Sequence, residues 1–320
     1  MGAVARAESA TLPPLVAIVG ATGTGKSDAA LAVAQALGEG NQTAEIVNAD
    51  AMQLYRGMDI GTAKVPESER GGIPHHLLDV WEVTREASVA DYQALARAAI
   101  RDIRSRGAIP VLVGGSGLYV SSVLYEFDFP GTDPDIRAGL EDRLAREGIE
   151  ALLGELAAKD PLAAAAIDPH NSRRVIRALE VIELTGKPFG AGLDAEHKPW
   201  LPHTHVLGLQ REREDLVSAL DQRVLDMWEA GFVDEVKRLI PLGIERGVTA
   251  SRAIGYQQIL EYLAGNVTEL EAIESTQALT RRFARRQVSW FRRDTNTRWF
   301  PSGTPQLVDE AVRVLTSEKS

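Results

Sequence analysis

Within eight residues, Gly20-Ala21-Thr22-Gly23-Thr24-Gly25-Lys26-Ser27 brings together three glycines, a lysine and three hydroxyls. The spacing is G-x-x-x-x-G-K-[ST]. Its glycines let backbone N–H groups turn toward an anion, Lys26 adds positive charge, and the Ser27 hydroxyl is placed to ligate Mg²⁺. The run lies between the apolar LVAIVG and an Ala-rich stretch, the strand-to-helix context such a loop requires. A cradle of this kind binds a chain of phosphates. It does not say whose phosphates they are.

Two further positions bear on that question. Asp50 ends the run EIVNAD, and in α/β sheets the carboxyl ends of strands face the ligand crevice. A carboxylate there suits the Mg²⁺-associated acid of a small-molecule kinase or the general base of a transfer to a nucleophile; a bare turn Asp is the structural alternative. Ser116 opens from the same edge, in Gly114-Gly115-Ser116-Gly117-Leu118-Tyr119. Its flanking glycines allow backbone to approach a ligand closely, or simply make a turn. A GTPase would need N-K-x-D, and none of the seven lysines follows an asparagine. An ATPase usually ends an apolar strand in a Mg²⁺-binding Asp, whereas VLV here runs into Gly114.

The third signal is RRFARRQVSWFRR. On a helix, Arg281, Arg282, Arg285, Arg286, Arg292 and Arg293 fill an arc of roughly 140°, with Phe283, Ala284, Val288, Trp290 and Phe291 on much of the other side. A solvated face would carry lysines and mixed charges; an all-Arg stripe with a docked apolar back fits a nucleic-acid backbone. Arg173, Arg174 and Arg177 form a second cluster that alone would mean little. His75 and His76 have no third ligand at useful spacing, so loop packing or hydrogen bonding is their expected use.

These residues need elements to hold them. The 320 residues are 44% hydrophobic and 25% charged, ample for a core. Net charge is −10, yet seven arginines and one acid, Asp294, stand between Arg281 and Arg298, so positive charge is concentrated rather than absent. Without cysteine there is no disulfide, thiolate zinc site or cysteine nucleophile, which suits a cytoplasmic protein. No apolar run reaches a membrane span, and residues 1–14 read as a loose tail rather than a signal peptide.

LVAIVG, EIVNAD and AIPVLVGG read as buried strands, with helices over about Ser27–Leu37 and Ser88–Arg106 between them and a long functional loop from Arg56 to His76. That alternation predicts a parallel α/β sheet, P-loop NTPase-like and flanked by helices. From Thr132 to Thr185 nothing resembles a strand, so residues 129–200 are predicted as an all-helical insertion into a core of 15–128 and 201–320. Leu201–Gln210 returns to the sheet, and the remainder is predicted to be mostly helical.

Taken together, the P-loop, NADAMQLYRGMDIGTAK, GIPHHLLDV, VLVGGSGLY, RRVIRALEV, RAIGYQQ and RRQVSWFRR resemble, in that order, the bacterial tRNA dimethylallyltransferase family. The likeness spans about Val16 to Trp299. It implies transfer of a dimethylallyl group from dimethylallyl diphosphate to N6 of the adenosine immediately 3′ of the anticodon, with Mg²⁺ and no ATP. By the same resemblance, Asp50 is the general base, Ser116 and Arg223 assist transfer, and Gly20 through Ser27 hold the diphosphate with Ser27 on the metal. The implied tRNA contacts are Asp50, Ala51, Met52, Gln53, Ser116, Arg137, Arg173, Arg174, Val175, Ile176 and Arg177. A further set runs over Arg252, Ala253, Ile254, Gly255, Tyr256 and Gln257, and a last one over Arg285, Arg286, Gln287, Val288, Ser289, Trp290, Phe291 and Arg292. A monomer acting on the anticodon stem-loop is expected. Two departures stand out: Ala51 replaces a common Ser, and Ser116 a common Thr whose methyl would restrict its rotamer. The rival readings are a P-loop kinase for a nucleotide or metabolite, and a nucleic-acid-binding regulator that only senses nucleotide.

Overall fold

The structure, a computed structural model, describes residues 12–126, 129–189 and 198–317. The chain divides into two compact units, one formed by the chain up to Leu124 together with Pro199 onward, the other by Tyr125–Lys198. Most of the predicted tail, residues 1–11, lies outside the described residues, while the Pro13 carbonyl accepts from Arg104 Nε at 2.6 Å.

The first unit is built on six parallel strands: β1 (Leu15–Gly20), β2 (Ala44–Asn48), β3 (His75–His76), β4 (Ile109–Gly114), β5 (Thr204–Gln210) and β6 (Thr297–Pro301), in the order β3-β2-β4-β1-β5-β6. Parallel strands need both faces covered, and β1, β2 and β4 are buried along their whole length, as their unbroken apolar runs predict. Val16 and Ile18 pack with Ala30, Val33 and Leu37 of α1 (Lys26–Glu39). The same cluster takes in Leu307, Ala311 and Leu315 of the C-terminal helix. On β2 and β4 packs α2 (Val89–Ser105), which buries Tyr92, Ala96, Ile100 and Ile103 at helical spacing. Ser88 caps it by accepting from the Asp91 N–H at 3.3 Å.

Two predicted boundaries shift. The second strand stops at Asn48, so Asp50 stands in the turn beyond it. The last sheet strand, β6, falls where helix was predicted, because five residues ending in Pro301 carry too little alternation to declare themselves. The long loop does form between β2 and β3, interrupted by a 3₁₀ turn at Glu67–Glu69. His75 Nδ1 lies 2.8 Å from the Ile73 carbonyl and His76 Nε2 2.7 Å from Glu45, which also receives Arg106, so both rings serve the sheet edge.

After α3 (Gly117–Leu124), the described residues of the second unit form four helices: α4 (Pro134–Glu147), α5 (Ile149–Lys159), α6 (Pro161–Ala166) and α7 (Ser172–Thr185). Asp133 and Asp160 cap helices that open with proline, and Asn171 caps α7. Leu140, Leu152, Leu156, Val175 and Leu179 form this unit's own core.

Back in the first unit follow α8 (Arg213–Glu229), α9 (Phe232–Leu239), α10 (Tyr256–Leu263), α11 (Glu269–Phe291) and α12 (Gln306–Ser317). Thr268 and Glu271 form a reciprocal capping box at the start of α11.

Candidate active site

Because β2, β4 and β1 are neighbours and parallel, the loops leaving them meet along one edge of the sheet. That places the P-loop, the Asp50 turn and the Ser116 turn side by side. Asn48 fixes the second of these: its Oδ1 accepts from the Asp50 N–H at 2.9 Å, and its Nδ2 donates to the carbonyls of Asp50 and Leu77. Tyr92 supports the same turn from α2, its hydroxyl donating to the Asn48 carbonyl at 2.9 Å. The Asp50 side chain itself accepts from the Met52 N–H through Oδ1 at 2.9 Å. One oxygen is thus anchored, an arrangement that orients a carboxylate.

Ser116 meets the Asp50 turn directly. Its Oγ accepts from the Ala51 N–H at 3.2 Å, so at Ala51 it is the backbone, not a side chain, that links the two loops. The glycines around Ser116 are explained by protein neighbours. A Cβ on Gly115 would lie 2.5 Å from Gln287 Nε2, and one on Gly117 2.4 Å from Trp290 Cδ1. Both neighbours belong to α11, which therefore seats itself against this loop.

On the P-loop, Thr24 Oγ1 donates to the Ala21 carbonyl at 2.9 Å, and Lys26 Nζ donates to the same carbonyl at 2.7 Å. Burial pulls the Lys26 ammonium down to about 8; Asp50 nearby resists that shift and Arg223 adds to it. Arg223, from α8, donates to Thr22 Oγ1 at 3.3 Å, and its guanidinium is lowered by burial while Asp50 and Asp28 favour its charge. Two cations and a carboxylate thus converge at the loop that sequence reasoning assigned to phosphate.

Gln53 lies just past Asp50, its Nε2 donating to the Thr62 and Ala63 carbonyls. The loop supplying those carbonyls is shaped by two ionic side chains. Lys64 donates to the Tyr55 carbonyl and pairs with Asp59 and Asp79, both at 2.6 Å. Glu235, 2% exposed, accepts from the N–H groups of Asp59, Ile60 and Gly61 and from the Tyr256 hydroxyl at 2.6 Å. Sequence inspection missed Glu235 and Asn48, since a lone acid on a helix and a strand-end amide carry no spacing signal.

The residues of the three arginine-bearing segments separate by exposure. Arg282, Arg285, Arg286 and Ser289 on α11, and Arg292 and Arg293 in the turn that ends it, are exposed. Arg281, at the edge of the arc, is ion-paired with Asp221. Val288 and Trp290 are half-buried, while Gln287 and Phe291 are buried. Gln287 lies between Ala284 and Phe291 at inward helical spacing, the signal that could have marked it as facing the loops. In the 252–257 segment Arg252 and Gln257 are exposed and Ile254 is intermediate, whereas Ala253, Gly255 and Tyr256 are buried. In the second unit Arg173 and Arg174 are exposed, and Val175 and Ile176 belong to the core. Arg137 and Arg177 both donate to the fully buried Glu180, each at 2.8 Å. Met52 and Gln53 are intermediate.

No group of three or more metal-ligating His, Asp or Glu side chains occurs among the described residues. The donors at hand, the Ser27 hydroxyl and the Asp50 carboxylate, are hard oxygens. They fit a cation that keeps waters and phosphate oxygens in its shell, as Mg²⁺ does, rather than one held in an all-protein cage.

A family model described as IPP transferase matches residues 53–294. A tRNA dimethylallyltransferase of Thermobifida fusca is 57% identical over 301 residues, covering 94% of each chain, and one of Clavibacter sepedonicus is 54% identical over 308, covering 96% of this chain and 100% of that one. Among solved structures, the tRNA isopentenylpyrophosphate transferase of Bacillus halodurans superposes with a TM-score of 0.68 at 40% identity, covering 96% of this chain and 98% of that one. A eukaryotic dimethylallyltransferase captured acting on tRNA gives a TM-score of 0.77 at 27% identity, covering 93% of this chain and 76% of that one. With likeness running nearly end to end, the chain belongs to the IPP transferase family, that of the tRNA dimethylallyltransferases.

Proposed function

We propose that the protein transfers a dimethylallyl group from dimethylallyl diphosphate to N6 of the adenosine immediately 3′ of the anticodon in tRNA, releasing diphosphate. The observation that carries this reading is the convergence of Asp50 and Ser116 beside a P-loop whose charged neighbours are Lys26 and Arg223. Adenine N6 is a poor nucleophile because its lone pair is delocalised into the ring. Asp50, oriented by the Met52 N–H, takes the amine proton as the new C–N bond forms, so position matters more than basicity. The C–O bond to the diphosphate breaks with its electron pair leaving on oxygen. P-loop N–H groups, Lys26 and Arg223 are placed to meet that growing charge. Ser116 holds the Asp50 turn through the Ala51 N–H and keeps its own hydroxyl proton available to donate. Bound at Ser27, Mg²⁺ would add charge stabilisation on the diphosphate.

The target base must leave its stack to reach the pocket, which favours recognition of a loop. Exposed Arg285, Arg286 and Arg292, with Arg252 and Gln257, are the proposed phosphate and base contacts, joined by Arg173 and Arg174. The buried members of those segments would contribute backbone and support. We assign a monomer working in the cytoplasm, where tRNA is modified. No helix among the described residues is long and apolar enough to cross a membrane.

Incubation with labelled dimethylallyl diphosphate, Mg²⁺ and unmodified tRNA is expected to place label in the RNA. Asp50→Ala should abolish turnover while tRNA still binds. Phosphoryl transfer from ATP without prenylation of any tRNA would overturn the reading in favour of a kinase.

A further inference from the structure

Gln287 sits on the helix that presents the arginine face, yet its side chain is turned away from that face and is 4% exposed. Its Oε1 accepts from the Thr22 N–H at 2.9 Å, and its Nε2 donates to the Gly115 carbonyl at 2.8 Å. One amide therefore bridges the P-loop and the Ser116 turn. Each bonded group lies one step from the proposed chemistry. The Thr22 hydroxyl receives Arg223, and Gly115 precedes Ser116, whose Oγ holds the Asp50 turn through Ala51.

We propose that Gln287 is a positioning residue for the diphosphate cradle, setting the distance between the loop that receives the leaving group and the turn that carries Ser116 and Asp50. The proposal rests on the cradle holding a diphosphate, as argued above. A glutamine suits this place because the two loops offer one donor and one acceptor, and an amide supplies the complementary pair without charge. The neighbouring backbone is shaped to the contact, since any side chain at position 115 would collide with Nε2 at 2.5 Å. An apolar residue would leave the half-buried Thr22 N–H and the buried Gly115 carbonyl without their partner. The side chain is thus used within the protein, and RNA affinity is left to the exposed arginines on the opposite face.

The test uses the full chain with Gln287→Met and Gln287→Glu. Inorganic pyrophosphate binding is read by calorimetry in Mg²⁺, with and without saturating tRNA; tRNA binding is read by filter retention. Q287M is expected to bind pyrophosphate about tenfold more weakly and to raise KM for dimethylallyl diphosphate by a similar factor, with tRNA affinity within about twofold of the parent. Q287E keeps an acceptor for Thr22 but cannot donate to Gly115 and adds negative charge. It should bind pyrophosphate more weakly still. A folded Q287M that binds pyrophosphate like the parent, or that loses tRNA while keeping pyrophosphate, overturns the proposal. Should Q287M fail to fold, Q287E decides by the same criteria. A parent protein that binds pyrophosphate but prenylates no tRNA would sink the proposed function and leave this inference standing; one that binds no pyrophosphate under either condition sinks the inference.

Discussion

The Lys26 ammonium donates to the Ala21 carbonyl at 2.7 Å, with Asp50 and Arg223 as its charged neighbours. Burial is the largest influence and holds its pKa at about 8, so the proton that helps bind diphosphate is lost just above neutrality. Only the charged form attracts the ligand, hence affinity must be greatest below pH 8 and fall as pH rises through it. The steepest slope for one proton is about tenfold per pH unit. Calorimetry with pyrophosphate between pH 7 and pH 9.5 checks this, with Lys26→Met as the control that carries only the ligand's own titration. A parent curve parallel to that of K26M would show that Lys26 does not titrate in this range. Without ligand the sign reverses. Between about 8 and the ordinary lysine value near 10.4 the unfolded chain holds a proton that the folded chain has shed, so the stability contributed by this group rises with pH.

At the scale of elements, α11 does two things with its two sides. Its buried side carries Ala284, Gln287 and Phe291 against the first unit, and Trp290 donates from Nε1 to Ser121 Oγ at 3.2 Å. Its other side carries the exposed arginines. Replacing Arg285 and Arg292 together with Ala touches none of the inward contacts, so folding should be unchanged while tRNA binding weakens. The slope of log affinity against log salt should fall by about 1 to 2 for two lost phosphate contacts. Filter binding from 50 to 300 mM salt measures it, and an unchanged slope would reduce the stripe to a solvated face. The helix also marks how far the sequence could be read. The arc of arginines was legible because helical period and charge are local properties, and the P-loop was legible because its spacing is its geometry. The role of Gln287 was not, since it depends on two loops 172 and 265 residues away meeting at one point. Strand β6 escaped for a related reason: its place comes from pairing with β5, from Val206 opposite Thr297 to Gln210 opposite Pro301, and not from its own five residues. The glycines flanking Ser116, open in the sequence to a ligand or a turn, make room for Gln287 and Trp290.

Across the whole molecule, the change from alternating strands and helices to helices alone was visible in the sequence, and it coincides with a second hydrophobic core. Two units with separate cores, joined by two crossings of the chain, should melt as two transitions in calorimetry. Glu180 offers a way to assign them. It is fully buried in α7, accepts from Arg137, Arg177 and the Asp133 N–H, and so ties the start of α4 to α7. Burial pushes its carboxyl up, but the two guanidiniums together outweigh that and hold it below the usual carboxylate range. The arginines left unpaired are about a third exposed and can be hydrated, so Glu180→Ala should cost about 2–3 kcal/mol, lower one transition by roughly 10–20 °C and leave the other in place. A carboxyl depressed in this way contributes stability that is present above its unfolded pKa and disappears as pH falls through the folded value. The gap between parent and E180A should therefore be wide at pH 7 and narrow toward pH 3. A single transition that E180A moves as a whole would instead mean that the two cores unfold as one.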